Sequence, residues 1–332
     1  MLLSDLGASV VCVAVESNHE LRTMEHRWPL VIGAAATVIL LTSCSAGPLG
    51  SNTHEIAPAG IAPSAEFNAY WHQGKAELDH YLLTQARYGE LRNGDAVLVF
   101  VTEGVLDSAQ VKYEGLGDAP HTSVLKLNRI DRFVTGIYDY SLMTSTFSPV
   151  DGTPPMKVSC TTQDWCGQMF MQLNRQVKGY RYELRSYFQA DGDKNGTISH
   201  AALEDDIMNQ IRIDPTKLPT GTVDMLPTLS YLRLMHKPVQ PVKVDAHLTA
   251  QGDTSTYRMQ FTSLDRTVSI HFGTAFPHMI YGWDDTRPDG FGDNVRTLTT
   301  TARLKEQVME PYWREHAMAD STYRKALGLG CF

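Results

Sequence analysis

The run Leu41-Thr42-Ser43-Cys44 contains the residue types that point most directly to a chemical modification. It closes an apolar stretch that begins at Trp28. Small residues followed by a cysteine are typical of the lipobox of bacterial lipoproteins, in which the chain is cut before the cysteine and the thiol receives a diacylglycerol. The sequence therefore predicts cleavage between Ser43 and Cys44 and a covalent lipid on Cys44.

The segment before Cys44 has the layout of a secretory signal peptide. Glu25-His26-Arg27 precede the apolar stretch, and small residues stand at the cut, which is the order expected of such a signal. We predict that residues 1–43 are a leader and signal peptide and that translation starts at Met24. An uncleaved membrane anchor is the alternative, but the apolar run is shorter than the ~20 residues that a spanning helix needs.

Residues 44–64 contain the lipidated cysteine and a tether. The segment is rich in Ala, Gly, Pro and Ser without a period, which is typical of a flexible linker. No Asp follows Cys44, so the usual cue for retention in the inner membrane is missing. We predict attachment through lipid to the periplasmic face of the outer membrane, with residues 65–332 forming a β-rich periplasmic domain.

Two of the remaining cysteines are candidates for a disulfide bond. Cys160 and Cys166 flank a five-residue segment and could face each other across a hairpin, and disulfides are common outside the cytoplasm. Free thiols at both positions are the alternative. Cys331 stands one residue from the C-terminus.

The segment Asp191–Ser199 matches the first nine positions of an EF-hand calcium loop. Asp191, Asp193 and Asn195 occupy the first three ligand positions, and Gly196 falls at the sharp turn. The bidentate acid expected at position 12 is replaced by Ala202. The sequence favours a plain strand-to-helix turn, with Asp191, Asp193 and Asn195 as a weak calcium candidate.

Composition and motifs narrow the remaining functional classes. The formal net charge is −8, and the basic residues are dispersed, so the chain has no footprint for nucleic acid. P-loop, dinucleotide-binding, zinc-protease and nucleophile-elbow motifs do not occur in the sequence. From the absence of these motifs we predict no catalytic residues, no cofactor-binding residues and no cofactor.

Alternating apolar residues and turn signals indicate a mainly β, antiparallel fold with a few helices. Asn93-Gly94 is a strong hairpin signal, and residues 165–173 alternate as a half-buried strand does. Helices are predicted at 65–74, 200–213, 307–315 and 321–327. We expect a strongly curved sheet or an incomplete barrel.

Several stretches resemble a family of uncharacterised lipoproteins of Gram-negative bacteria, whose members often carry the label "septum formation inhibitor Maf". They are residues 70–77, 85–90, 135–138, 163–167, 275–278 and 325–329. The resemblance covers nearly all of the mature chain. It implies an envelope lipoprotein and supplies no established catalytic residues.

Taken together, these features predict a non-enzymatic lipoprotein that binds an apolar or amphipathic envelope ligand, such as a lipid or glycan. A periplasmic hydrolase of unrecognised type and a scaffold subunit of an envelope assembly are the alternatives. A deep apolar cavity would favour the first, and a polar cleft with converging carboxylates would favour the hydrolase. A solid core with one exposed apolar patch would favour the scaffold.

Overall fold

The computed structural model describes residues 62–330, which form one 15-stranded sheet with short helices. Neighbouring strands are antiparallel, except that β9 and β10 are parallel. The strand order is β8-β7-β6-β5-β4-β3-β2-β1-β15-β14-β13-β12-β11-β10-β9. The strands are β1 Ala76–Arg87, β2 Glu90–Leu106, β3 His121–Thr135, β4 Tyr138–Pro149, β5 Lys157–Asp164, β6 Gly167–Gln176, β7 Gly179–Ser186, β8 Lys194–Ile198, β9 Ala202–Leu203, β10 Gly221–Leu226, β11 Val242–Gln251, β12 Thr254–Phe261, β13 Arg266–Gly273, β14 Ile280–Asp289 and β15 Arg296–Glu310. The predicted fold class, a mainly β antiparallel sheet, is confirmed.

The connection between β8 and β9 explains why this sheet must be strongly curved. These strands are the two edges of the sheet, yet only residues 199–201 separate them in the chain. Three connecting residues reach at most about 14 Å, whereas 15 strands laid flat would span roughly 65 Å. The sheet therefore wraps round until its edges are near each other, and within the described residues these edges do not pair.

Short helices fill the concave side of the sheet, which we call the inner face. They are α1 Ala65–Trp71, α2 Ile207–Ile213 and α3 Leu229–Leu234. Phe67 and Trp71 from α1 pack in one buried cluster with residues from strands on both sides of the curve, including Leu98 and Tyr257. The core therefore lies inside the curve. Among the described residues, no helix is long and apolar enough to cross a membrane.

The other side of the sheet, which we call the outer face, carries residues 311–330, which we name the strap. The strap leaves β15 and ends after a short helix, α4 Ser321–Ala326. Leu327 is buried, and its carbonyl contacts the His80 ring on the outer face. Gly328 follows α4 with a φ of 66°, which is the left-handed position at which glycine commonly ends a helix.

Three local predictions were wrong for identifiable physical reasons. The β1–β2 turn is Tyr88-Gly89, with φ of 59° and 75°, and Asn93-Gly94 lies inside β2. Gly94 is needed there because an added Cβ would lie 2.2 Å from the carbonyl oxygen of Arg132. The helix predicted at 200–213 is α-helical only from Ile207, because β9 and a 3-10 turn come first. Residues 307–310 belong to β15, where pairing with β1 outweighs local preference.

The prediction of alternation over residues 165–173 is confirmed for β6. Met169, Met171 and Leu173 are buried, and the residues between them are more exposed. Trp165 lies before the strand, in the turn, and is exposed. The helices predicted near residues 65 and 321 are confirmed as α1 and α4.

Candidate functional sites

A small polar chamber lies on the inner face, between the sheet and α3. Its volume is about 60 Å³. Seven of its lining residues are acidic or basic, and the rest are apolar or hydroxyl-bearing apart from the amide of Gln85. The charged lining residues are Arg129, Asp131, Glu204, Asp205, Arg266, Asp285 and Arg287.

Arg266 is the centre of the charge network in the chamber. Its guanidinium donates two hydrogen bonds to Glu204, at 2.6 and 2.7 Å, and two to Asp285, at 2.8 and 3.1 Å. Arg287 approaches the same Asp285 at 3.2 Å and Asp289 at 3.3 Å. Glu204, Asp285 and Asp289 therefore each face a cation, as buried charges require.

Two aromatic rings cover the guanidinium groups of this network. Arg266 lies 4.2 Å from the Tyr231 ring, and Arg129 lies 4.6 Å from the Trp283 ring. Arg129 also pairs with Asp131 through two nitrogens, with Nε 3.2 Å from Oδ1 and Nη2 2.8 Å from Oδ2. Cation–π attraction contributes on the order of 1 kcal/mol for such contacts.

Two acids in the chamber have pKa values shifted in opposite directions. Burial and the neighbouring Glu204 charge raise the pKa of Asp205 to about 7, although the Leu229 N–H bond opposes the rise. Burial also acts on Asp285, but Arg266 and Arg287 outweigh it and lower the pKa of Asp285. An acid and a base held apart in pKa can support proton transfer.

The size of the chamber decides what this pair of acids can act on. A water molecule needs at least about 10–15 Å³ of such space, so the chamber has room for roughly four waters. Ligand pockets usually measure about 300–1,000 Å³. A sugar ring does not fit. The Nε1 of Trp283 and the Nε of Arg287 are buried without a hydrogen-bond partner, and the chamber is of a size for water to be that partner.

A larger and more apolar space lies on the outer face, beneath the strap; we call it the groove. Its volume is about 710 Å³. Its sheet side is formed by Leu78, Val97, Ile130 and Val308, and its strap side includes Met318. The groove has the size and apolar character of a site for a drug-sized or lipid-sized molecule.

Charged residues stand at the ends of the groove. Asp95 and Arg132 line the end on β2 and β3, and Glu310, Glu315 and Asp320 line the end where the strap begins. Desolvation, together with the charges of Glu310 and Asp320, raises the pKa of Glu315. Lys75 acts on Glu315 in the opposite sense, but the three carboxylates outnumber it, so this end favours a positive group.

A cluster of tyrosines surrounds Arg87 near the β1–β2 turn. The Tyr88 hydroxyl lies 2.7 Å from that of Tyr140 and 3.3 Å from that of Tyr138. Arg87 donates to Tyr88 and Tyr140, at 3.1 and 3.2 Å. Burial opposes ionisation, but these hydrogen bonds lower the pKa of Tyr88.

The structure separates the two cysteines predicted to form a disulfide, and both are free thiols. Cys160 is buried in β5 opposite Met171, whereas Cys166 is exposed in the turn that follows β5. Four strand residues, 161–164, lie between Cys160 and the turn that begins at Trp165. The two cysteines are therefore not cross-strand partners, because a hairpin pairs residues at equal distances from its turn. Burial raises the pKa of Cys160 to about 12.

Of the weak calcium candidate, Asp191 and Asp193 lie in the connection from β7 to β8 and Asn195 lies in β8, so the predicted strand-to-helix turn was wrong. Asp193 accepts the Ser186 N–H at 3.1 Å, Asp191 lies 3.2 Å from His236 Nδ1, and Asn195 accepts from Arg185 at 3.0 Å. Within residues 62–330, no group of three or more His, Cys, Asp or Glu residues is placed to hold a metal ion. Cys44 lies outside the described residues.

The chamber and the groove were missed by reading motifs, because neither has a local sequence signature. Arg266, Glu204 and Asp285 come from distant parts of the chain, and pairing of β1 with β15 places Leu78 beside Val308. The only sequence signal for these two sites was the presence of charged residues within otherwise apolar strands.

Comparisons with known proteins add little to this geometry. No protein-family model matches the chain, and no curated protein matches it. A porin-like protein from Bacteroides uniformis aligns at 10% sequence identity over 70% of this chain and 95% of that chain, with a TM-score of 0.19. A likeness at that level carries no argument about fold or function.

Proposed function

We propose that the protein is an envelope lipoprotein that binds an amphiphile in the groove, with an acyl chain under the strap and a positively charged head group at Glu310 and Glu315. The observation that carries this proposal is the apolar space of about 710 Å³ between sheet and strap. Apolar burial stabilises a bound chain by roughly 0.8 kcal/mol per CH₂ group. The lipobox predicted at Cys44 supports an envelope location.

The alternative, a glycan hydrolase that uses Asp205 and Asp285 of the chamber, has weaker support. Their chamber of about 60 Å³ admits water but no sugar ring, as derived above. The groove therefore offers the better site for a ligand of the size found in the envelope.

A pair of probes with the same chain and opposite head charges tests the proposal. Dodecylamine and laurate would be titrated, below their micellar concentrations, into the purified full-length protein by calorimetry. We expect dodecylamine to bind more tightly than laurate. Equal affinity would contradict the head-group assignment, and no binding of either probe would contradict the groove as an acyl site.

A matched pair of variants locates the binding. Ile130→Arg places a charge on the groove floor and should abolish dodecylamine binding, because it fills apolar space with a cation. Val134→Arg lies on the same face of β3, is 53% exposed and does not line the groove, so binding should persist. Loss of binding in both variants, or in neither, would place the ligand elsewhere.

A further inference from the structure

Two side chains of the sheet hold the end of the strap by its backbone carbonyls. The Leu327 carbonyl oxygen lies 2.7 Å from His80 Nδ1, and the Gly328 carbonyl accepts from Lys305 Nζ at 3.3 Å. These carbonyls follow α4, and the carbonyls at a helix C-terminus attract cationic donors. The strap is thus joined to β15 by the chain at one end, and to β1 and β15 by these two contacts at the other.

A β-bulge brings Lys305 to this position. His80 pairs with Glu306 and Tyr81 pairs with Leu304, so Lys305 has no partner in the β1–β15 ladder. A bulge of this kind re-aims the side chain of the extra residue. The bulge therefore presents Lys305 beside His80, where the strap ends.

His80 contacts acceptors through both of its ring nitrogens. Nδ1 faces the Leu327 carbonyl, and Nε2 lies 2.7 Å from Oδ1 of Asp95. The His80 side chain is fully buried. A carbonyl and an ionised carboxylate can only accept, and only the doubly protonated imidazolium donates from both nitrogens. A neutral ring would leave one lone pair facing an acceptor.

We propose that His80 is a protonation-controlled latch, which closes the strap over the groove as the imidazolium and releases it as the neutral ring. Protonation keeps both contacts, so the strap is held at low pH. The neutral ring keeps its single proton on Nε2, because the ionised carboxylate of Asp95 is a stronger acceptor than a carbonyl. Nδ1 then presents a lone pair to the Leu327 carbonyl, so the strap loosens as the pH rises. The consequence for ligand entry rests on the proposed function of the groove, whereas the latch itself does not.

Charged groups surround the ring on the elements packed against it. Asp95 on β2 contacts Nε2, and Glu306 on β15 is the register partner of His80. Lys305 on β15 bonds the neighbouring Gly328 carbonyl. On the strap, Arg324 and Tyr323 line the groove near Leu327, and Arg324 donates to the Gly330 carbonyl at 2.6 Å. Side chains of histidine ordinarily titrate between about pH 5 and 8.

Hydrogen–deuterium exchange of the ligand-free, full-length protein tests the latch. Protection factors, which correct for the intrinsic pH dependence of exchange, would be measured for peptides covering 321–330 at about pH 5.5 and about pH 8.5. Loss of one charge-assisted hydrogen bond should lower strap protection by about tenfold or more at the higher pH. Protection of β2 should not change, and this serves as the internal reference.

Two variants make opposite predictions. In Asp95→Asn, the amide can donate to Nε2 of a neutral His80, whose Nδ1–H still donates to Leu327, so the strap should stay protected at both pH values. In His80→Gln, one side chain cannot serve both acceptors, so protection should be low at both pH values. Asp95 is 53% exposed, so its replacement leaves the core intact. Asp95→Asn therefore still tests the latch if His80→Gln folds poorly.

Equal strap protection at both pH values in the wild type would overturn the latch, and so would an Asp95→Asn variant that still loosens at high pH. Both results are independent of ligand binding. A latch without dodecylamine binding would leave the proposed function wrong and this inference intact, and binding without a pH response would do the reverse.

Discussion

The chamber and the groove lie on opposite faces of one sheet and differ in how their polar and apolar groups are satisfied. In the chamber, Arg266 is bonded to both Glu204 and Asp285 and little space is left. In the groove, Leu78 and Ile130 face a large space that no described residue fills. The difference teaches that conspicuous buried charges can serve architecture, while an inconspicuous apolar surface under a strap offers the proposed binding site.

The largest effect that would test this contrast is on stability. Arg266→Met should lower the free energy of unfolding by about 3–5 kcal/mol, because Glu204 and Asp285 would remain buried without their main partner. Urea unfolding followed by circular dichroism measures the change. Arg258→Met on neighbouring β12 is the control, since Arg258 is exposed and its loss should change stability by no more than about 0.5 kcal/mol. Similar losses of unfolding free energy in the two variants would show that charges on the inner face are no more important for stability than charges on the outer face.

The pH dependence of stability provides a second, smaller test of the chamber. A carboxyl whose folded pKa is raised binds more protons in the folded than in the unfolded state. The contribution of Asp205 to stability is therefore full below its unfolded pKa near 3.8 and is lost as the pH rises toward about 7. Its slope is at most about 1.4 kcal/mol per pH unit.

Asp205→Asn should flatten the stability profile between those pH values, measured by urea unfolding at successive pH. Asp206, whose pKa burial raises to about 6, contributes a slope in the same direction, so some pH dependence should remain. Asp206→Asn is the matched control, and the two variants should remove separable parts of the slope. An unchanged profile in Asp205→Asn would mean that this acid is ionised in the folded protein.

Part of the fold could be predicted because it rests on local periodicity. Alternation from Met169 to Leu173 identified β6, and the residues that begin α1 are preceded by the capping residue Ser64. The antiparallel class follows from successive short connections. These features depend on neighbours in sequence, so the sequence alone contains them.

The rest depended on long-range pairing. Asn93-Gly94 resembles a turn, but the glycine is needed because the carbonyl of Arg132 on β3 approaches it. Residues 307–310 have helical character locally, yet they pair with β1 at the opposite end of the chain. The candidate sites were less predictable still, because His80, Asp95 and Leu327 meet only after these strands pair.

The smallest effect on stability should come from the strap. Met318 lines the groove but is 91% exposed, so it contributes little to folding. Met318→Gln should change the free energy of unfolding by no more than about 0.5 kcal/mol. Because Gln replaces an apolar wall with a polar one, dodecylamine affinity should fall by several-fold, consistent with losing contact with one or two CH₂ groups.

Comparing this variant with Arg266→Met separates binding from folding. Arg266→Met should reduce stability strongly and leave dodecylamine affinity unchanged wherever the protein remains folded, because the two sites lie on opposite faces. Calorimetric titration under conditions in which both variants are folded measures this directly. If Met318→Gln binds as wild type does and Arg266→Met does not, the ligand site lies on the inner face, and the chamber must open in solution beyond its volume of about 60 Å³.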